Sequence, residues 1–572
     1  MDFMKKVLLI SLLLIANSLS AQENLTLQQV IYQVEEIDRK YYSFEDYKTR
    51  YHFLTEEKLL ARSKELQKQF DKLNQIPKEQ LGRQDQITQS TLLLKLTDEI
   101  SEVKYKSYLM PFNAEGGFYN ATSFAISSWK FNSPEDFSNY QKWVLSYLDF
   151  LDYNKTLLIK GMKKGIMRPK VIVGNALKLI KPYLVTDYQL NSFFAPYLKL
   201  NSENSEELKE AGRQLIEKHV RPKYKELEVF LRDQYLVAAP PEVGISKIQN
   251  GKAYYEDRIA FYTTQSMSPD SVYQLGLQEV ARIRRSMDAI IADLEFEGSF
   301  KEFIGFLRTD AQFYAKTPQE LLSRAAWLSK KAEGQLPKLF KQLYQLPFTV
   351  EPVPVSIAPT YTGGRYVPGS RSEDRAGIYW VNTYDLPSRP FYTLPALTLH
   401  EAVPGHHLGM MVAAELAADI PEFRKNYYIS AYGEGWGLYA EYLGEEMGMY
   451  ETPYELFGRY TYEMWRACRL VVDVGIHYKG WGRQQALDYL ANNTALSLHE
   501  VTTEIDRYIG WPGQAVSYKV GELTIKKLRE TASLELGDNF DIQDFHQIIL
   551  SNGSVPLFEL QKEVRHYIEE NQ

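Results

Sequence analysis

Apolar residues return at intervals of three and four along most of the chain, as in Trp143, Tyr147, Leu148 and Leu151. That spacing lays one apolar stripe along a helix, whereas a strand would alternate. The starts of helices are also written in the sequence. Ser133-Pro134-Glu135-Asp136, Ser268-Pro269-Asp270 and Thr317-Pro318-Gln319-Glu320 each set a capping hydroxyl before a proline at the first helical position, and Thr317 with Glu320 has the form of a capping box. Residues 22–346 therefore read as an all-helical region.

The pattern changes between residues 348 and 385. Val350, Val353, Val355 and Ile357 lead into Gly363-Gly364-Arg365-Tyr366-Val367-Pro368-Gly369, and Gly377-Ile378-Tyr379-Trp380-Val381-Asn382 follows. β-Branched and aromatic residues on both sides of a glycine-rich turn predict a small antiparallel sheet. After Pro395 the helical spacing resumes, with Thr452-Pro453-Tyr454-Glu455 as another capping box, and continues to the end. The fold class expected is mainly α, with residues 22–346 and 347–572 forming one integrated body.

Hydrophobic residues at 44% and charged residues at 24% are ordinary for a globular protein and exclude a disordered or coiled-coil chain. A net charge of -7, with lysine and arginine dispersed, leaves no footprint for nucleic acid. Lys5-Lys6, an apolar run from Val7 to Ala16 and the small residues up to Ala21 have the form of a secretory signal peptide over residues 1–21. No later stretch is long and uncharged enough to span a membrane, so the expectation is a periplasmic or secreted protein without membrane insertion after signal removal. Cys468, the single cysteine, rules out an internal disulfide and reads as a small buried residue.

Three of the nine histidines fall in His400-Glu401-Ala402-Val403-Pro404-Gly405-His406-His407. Imidazole beside carboxylate is a donor set suited to zinc, and in the usual zinc-hydrolase helix two histidines stand one turn apart with a glutamate base after the first. Here Pro404 occupies the one-turn position, and a straight helix would turn His406 away from His400. Pro404 breaks a helix and Gly405 accepts unusual backbone, so a kink or bulge is expected between residues 402 and 406. Deleting two residues restores the usual spacing for His406, which is favoured over His407 as second ligand. Downstream, Ala431-Tyr432-Gly433-Glu434-Gly435-Trp436-Gly437 offers Glu434 as third ligand on a returning helix; Glu441, two turns further, could orient a ligand from behind.

These segments resemble the bacterial family called domain of unknown function 885, together with Arg469-Leu470-Val471-Val472-Asp473-Val474-Gly475-Ile476-His477, Gly480-Trp481, Trp511-Pro512-Gly513-Gln514-Ala515-Val516-Ser517-Tyr518-Lys519-Val520-Gly521, and the stretch from Phe545-His546 to Val555-Pro556-Leu557. The resemblance covers nearly the whole mature chain. It implies zinc peptidases related to helical oligopeptidases and carboxypeptidases, and a helical body split by a deep cleft with a small sheet along the active-site helix. In such enzymes an extended peptide adds to a sheet edge, which residues 377–382 could supply, while Gly363, Gly364 and Gly369 could let a loop close over it.

The expected chemistry is hydrolysis of short peptides by metal-activated water, with zinc as cofactor and Glu401 as general base. Tyr518, placed after the ligands as the oxyanion tyrosine is in related helical peptidases and read as part of a helix from Pro512, is the candidate donor to the oxyanion. His477, one turn after Asp473, is a second candidate. His499-Glu500 repeats the dipeptide without a later histidine and reads as surface. Arg365, Arg371 and Arg375 read as a solvated loop, with the capacity to hold a peptide carboxylate. Two other classes fit the same residues: a peptide- or nutrient-binding protein without turnover, and a zinc hydrolase of another amide or ester.

Overall fold

The capping signals stand where helices begin. In a computed structural model describing residues 26–200, 205–355, 357–371 and 373–572, Ser133 accepts the Asp136 N–H at the head of Pro134–Lys164, which buries Trp143, Tyr147, Leu148 and Leu151 on one face. Ser268 and Thr317 cap Pro269–Asp293 and Pro318–Glu333 in the same way. Glu320 turns one residue further back than a capping box requires and accepts from the Lys316 N–H at 2.7 Å. The signal peptide expected over residues 1–21 lies outside the described residues.

The chain divides into two compact units, one comprising residues up to Glu45 with His52–Val103, the other Asp46–Tyr51 with Lys104–Gln572. This division falls elsewhere than the change of texture near residue 346. The smaller unit is built on helices Leu27–Tyr42 and Glu56–Asn74, whose inward residues include Val30, Ile31, Val34, Leu66 and Leu73.

Seven helices of the larger unit matter for the site: α1 (Pro269–Asp293), α2 (Leu394–Glu401), α3 (His406–Ala414), α4 (Ser430–Glu446), α5 (Pro453–His477), α6 (Leu498–Gly510) and α7 (Ser517–Leu536). Thr452 and Glu455 form the full capping box ahead of α5. That helix is buried along almost its whole length, packing against α1, while α4 runs along α7 and also against α2. Cys468 lies in it, fully buried, as read from the sequence.

The sheet has three strands, β1 (Phe348–Pro352), β2 (Gly364–Val367) and β3 (Gly377–Val381), in the order β1-β3-β2. Only half of it is antiparallel: β2 pairs that way with β3, but β1 pairs with β3 in parallel. β3 is consequently the central strand and not an edge. Burial explains the order, since Gly377, Tyr379 and Val381 are all buried whereas β1 has no buried residue; the strand with most apolar surface takes the covered middle. The edge facing α2 is β2, which Gly364 opens, while Gly369 sits tightly against Leu346 and Gly377 in the following turn.

Candidate metal centre

His400 lies in the last turn of α2, and the helix stops at Glu401. Ala402 (φ −90°, ψ −109°) and Gly405 (φ −72°, ψ −126°) both leave helical geometry before α3 begins at His406. The interruption expected at Pro404 and Gly405 is therefore present, and it is held by specific bonds. The Gly405 N–H donates to the Leu399 carbonyl at 3.0 Å, and the His407 N–H to that of Ala402 at 3.1 Å. A Cβ on Gly405 would lie 2.0 Å from the His400 carbonyl oxygen, so only glycine fits. From α4, the Trp436 indole N–H donates to the Pro404 carbonyl at 2.8 Å.

The break brings the two imidazoles together with their ring centroids 4.7 Å apart and their planes perpendicular. Glu434 Oε2 lies 3.4 Å from Nε2 of His400 and 3.4 Å from Nε2 of His406, and the three donor atoms all fall within 4.8 Å of one another. Ligand bonds of 2.0–2.1 Å in tetrahedral zinc put neighbouring donors about 3.3–3.4 Å apart, and both distances to Glu434 match that spacing. α4 can come this close because position 437 is glycine: a Cβ there would stand 2.7 Å from the His400 ring.

Behind the site, His400 Nδ1 meets Glu441 Oε1 at 2.8 Å, and Glu441 Oε1 is 3.2 Å from Arg466 Nη2. With Nδ1 donating its N–H to Glu441, the Nε2 lone pair would be the one offered to a bound metal ion. Burial opposes charge on the His400 ring, yet the hydrogen bonds it donates to Glu434 and Glu441 carry its pKa up to about 9. Burial likewise opposes charge on Glu434, but His406 and His400 hold its carboxyl well below the usual range. Both shifts describe a charge-balanced cluster.

Glu401 is buried beside the cluster, and its Oε2 accepts the Tyr366 backbone N–H of β2 at 2.7 Å. His407 points the other way. Its Nδ1 meets the Tyr366 hydroxyl at 2.8 Å, and its ring sits among Tyr344, Phe348 and Tyr366. Burial takes its pKa down to about 4. The geometry thus brings together His400, His406, Glu434 and Glu401, with Glu441 behind them.

Tyr518 is the second residue of α7, which starts at Ser517 after a short 3-10 turn rather than at Pro512. Its half-buried ring lies nearly parallel to His400, centroids 6.4 Å apart, with the Arg469 guanidinium 4.1 Å from its centroid. His477 is not in the cluster. It and Asp473 are fully buried and do not bond to each other: Asp473 accepts from the Tyr255 hydroxyl and the Gly513 N–H, while His477 Nδ1 accepts the Ile245 N–H and Nε2 donates to the Tyr508 carbonyl. Partners from other helices outcompete the one-turn contact, so no ring N–H of His477 is left for a substrate.

Tyr428 was not singled out by sequence. Its ring stands 6.4 Å from that of His406 and lies over Gly433, where a Cβ would clash at 2.3 Å. Tyr428 is 39% exposed at the surface, yet its hydroxyl is pushed above the ordinary range by the atoms crowded around it and by the neighbouring Glu434 carboxylate. It falls outside any regular spacing, which left no local signal. Glu500 also departs from expectation, being buried in α6, while His499 is half-buried. Of the three arginines, Arg371 contacts Gln345 and Arg375 the Pro368 carbonyl, but Arg365 on β2 lies against Tyr361, close to Glu115.

A mainly helical chain with a three-stranded sheet beside an interrupted helix and a His-His-Glu cluster is the class these features define. Residues 39–564 match the family described as "Bacterial protein of unknown function (DUF885)", and the chain belongs to that family. Among solved structures it is similar to "the putative lipoprotein from Colwellia psychrerythraea", at 26% identity and a TM-score of 0.84 over 95% of this chain and 97% of that one. It is also similar in fold to "a putative lipoprotein of unknown function from Shewanella oneidensis", at 17% identity and a TM-score of 0.71 over 94% and 99% of the two chains. No curated protein matches it.

Proposed function

We propose that the protein is a zinc-dependent peptidase acting on short peptides, located in the cell envelope or outside the cell. The observation that carries this reading is the Nε2, Nε2 and Oε2 triplet, with both nitrogens 3.4 Å from the Glu434 oxygen, set beside a buried carboxylate that is not part of it. Zinc held there would supply Lewis acidity, making water a better acid and drawing charge from the scissile carbonyl. Glu401, with one oxygen fixed by the Tyr366 N–H, keeps the other to take a proton from water and hand it to the leaving amine. Tyr518, beside His400, and Tyr428, beside His406, are hydroxyl donors available to a developing oxyanion. β2 is the sheet edge beside the helix that carries Glu401, where an extended peptide would add as a further strand.

The envelope location is supported by the signal-like residues 1–21 and by the description of the Colwellia structure as a lipoprotein. Among the described residues no helix is long and apolar enough to cross a membrane. The test is incubation with a mixed peptide library and mass analysis of the products, before and after chelation and after zinc is returned. Cleavage that disappears and returns with zinc supports the reading. Cleavage indifferent to chelation, or a zinc-loaded chain that cuts no peptide, overturns it.

A further inference from the structure

Away from the His-His-Glu cluster, the chain buries a second pair of oppositely charged groups that share a pocket without forming an ion pair. Arg389 is 6% exposed and Glu500 7% exposed, and both line one pocket with Leu397, Gly363 and Tyr462. The Arg389 Nε and Nη2 atoms are buried without a hydrogen-bond partner. These are the two nitrogens whose N–H bonds run parallel on one edge of the guanidinium, the edge that grips a carboxylate through two bonds. Among the described residues Glu500 does not come within the 4.0 Å of an ion pair with Arg389. Burial raises its carboxyl despite the opposing pull of Arg389. Two unpartnered N–H groups on a buried guanidinium are costly unless a water or a ligand completes them.

The pocket also has a definite relation to the site proposed above. Its cavity is small, about 20 Å³, and its lining includes Gly363, directly before β2, and Leu397, one turn before Glu401 on α2. Gly363 and Tyr366 are about 10 Å apart at the usual rise of an extended chain. A peptide laid antiparallel along β2, with its scissile bond at Glu401, would send its carboxyl end toward Gly363 and reach the pocket about three residues on.

Resting on the peptidase reading, we propose that this pocket is the recognition site for a carboxylate at the C-terminal side of the substrate. Arg389 holds the carboxylate through Nε and Nη2, and Glu500 accepts an N–H of the same residue. A peptide C-terminus presents both groups on one residue. An aspartate or glutamate side chain presents the carboxylate alone. Cleavage would release short C-terminal fragments of about two or three residues.

The test separates recognition from turnover by measuring binding to the zinc-treated, full-length Glu401→Gln chain by calorimetry. The probes are acetyl-Ala-Ala-Ala with a free carboxylate, the same peptide as its C-terminal amide, and acetyl-Ala-Ala-Asp amide. The free acid is expected to bind at least ~10-fold tighter than the amide, a preference that Arg389→Gln reduces to near parity. Preference retained by the aspartyl amide would assign the carboxylate to a side chain; its loss would assign it to the terminus. Equal binding of acid and amide, or a preference untouched by Arg389→Gln, overturns the proposal. If Arg389→Gln fails to fold, Gly363→Ala decides. Its methyl would make only ordinary contacts at 3.6 Å with Glu500 Oε1 and 3.8 Å with the Tyr462 hydroxyl, yet it narrows the pocket mouth and should weaken only the carboxylate probes. Should the wild-type chain cut no peptide, the peptidase reading fails while this binding experiment still reports on the pocket.

Discussion

The Tyr366 backbone N–H donates to the Glu401 carboxylate over 2.7 Å, which ties the exposed edge of β2 to the last residue of α2. The same tyrosine's hydroxyl meets His407 just beyond the helix break. One strand residue therefore fixes both sides of the interruption. Glu401 is held in place beside the His400, His406 and Glu434 cluster.

Glu401→Gln keeps the shape of that side chain and can still accept the Tyr366 N–H. Zinc content, read by elemental analysis, should be unchanged, while peptide turnover should fall by ~10²-fold or more, the scale of a lost general base. Turnover close to that of the wild type would remove Glu401 from the base role.

The two adjacent histidines should behave differently. His406→Ala removes a donor of the 3.4 Å triplet and should strip zinc from the protein, whereas His407→Ala should leave it bound and lower the melting temperature by opening a gap among Tyr344, Phe348 and Tyr366. Zinc lost only with His407 would overturn the ligand assignment.

Glu441→Gln replaces the carboxylate that bonds His400 and lies beside Arg466 with a neutral amide. Weaker anchoring of the imidazole should reduce zinc affinity by roughly 10–100-fold in competition with a chromophoric chelator. Unchanged affinity would make Glu441 a structural partner of Arg466 alone.

Two tyrosines flank the histidine rings, and deleting each hydroxyl separately assigns the oxyanion donor. Whichever of Tyr518→Phe and Tyr428→Phe drops turnover by roughly 10–1000-fold with zinc retained supplies the hydrogen bond. Both variants turning over normally would leave neither tyrosine in that role.

His477 gives a pH-dependent stability term unrelated to the metal. Burial takes its pKa down from 6.5 to about 4, so the unfolded chain binds that proton first. The stabilisation from the neutral ring is complete above pH 6.5 and shrinks as the pH falls toward 4, by up to ~1.4 kcal/mol per pH unit. Denaturant melts of the wild type and His477→Asn at pH 7 and pH 5 should therefore converge on the acid side. A constant gap between the two would contradict a buried neutral imidazole.

Capping is local, so Ser133, Ser268 and Thr452 announced their helices from a few neighbouring residues. The His400, His406 and Glu434 set was legible for a related reason: Pro404 and Gly405 lie between the first two donors and prescribe the break. Strand order was not legible, because the place of β3 between β1 and β2 depends on two long connections and on burial contributed by other elements. The His477 and Asp473 spacing misled, since Tyr255, Gly513, Ile245 and Tyr508 lie far away in sequence and claim both side chains. Arg389 and Glu500 are 111 positions apart and share a pocket only once α6 has packed.

The break at Pro404 and Gly405 means that the chemically fixed quantity is a nitrogen-to-oxygen distance and not a count of residues. His-Glu-Ala-Val-Pro-Gly-His delivers its two imidazoles to one point with two more positions than the one-turn arrangement uses. A genome survey that demands the one-turn spacing passes over this chain without registering it. A survey that admits two inserted positions, requires glycine immediately before the second histidine and looks downstream for Glu-Gly-Trp recovers it, because those residues let the polypeptide double back and lock there.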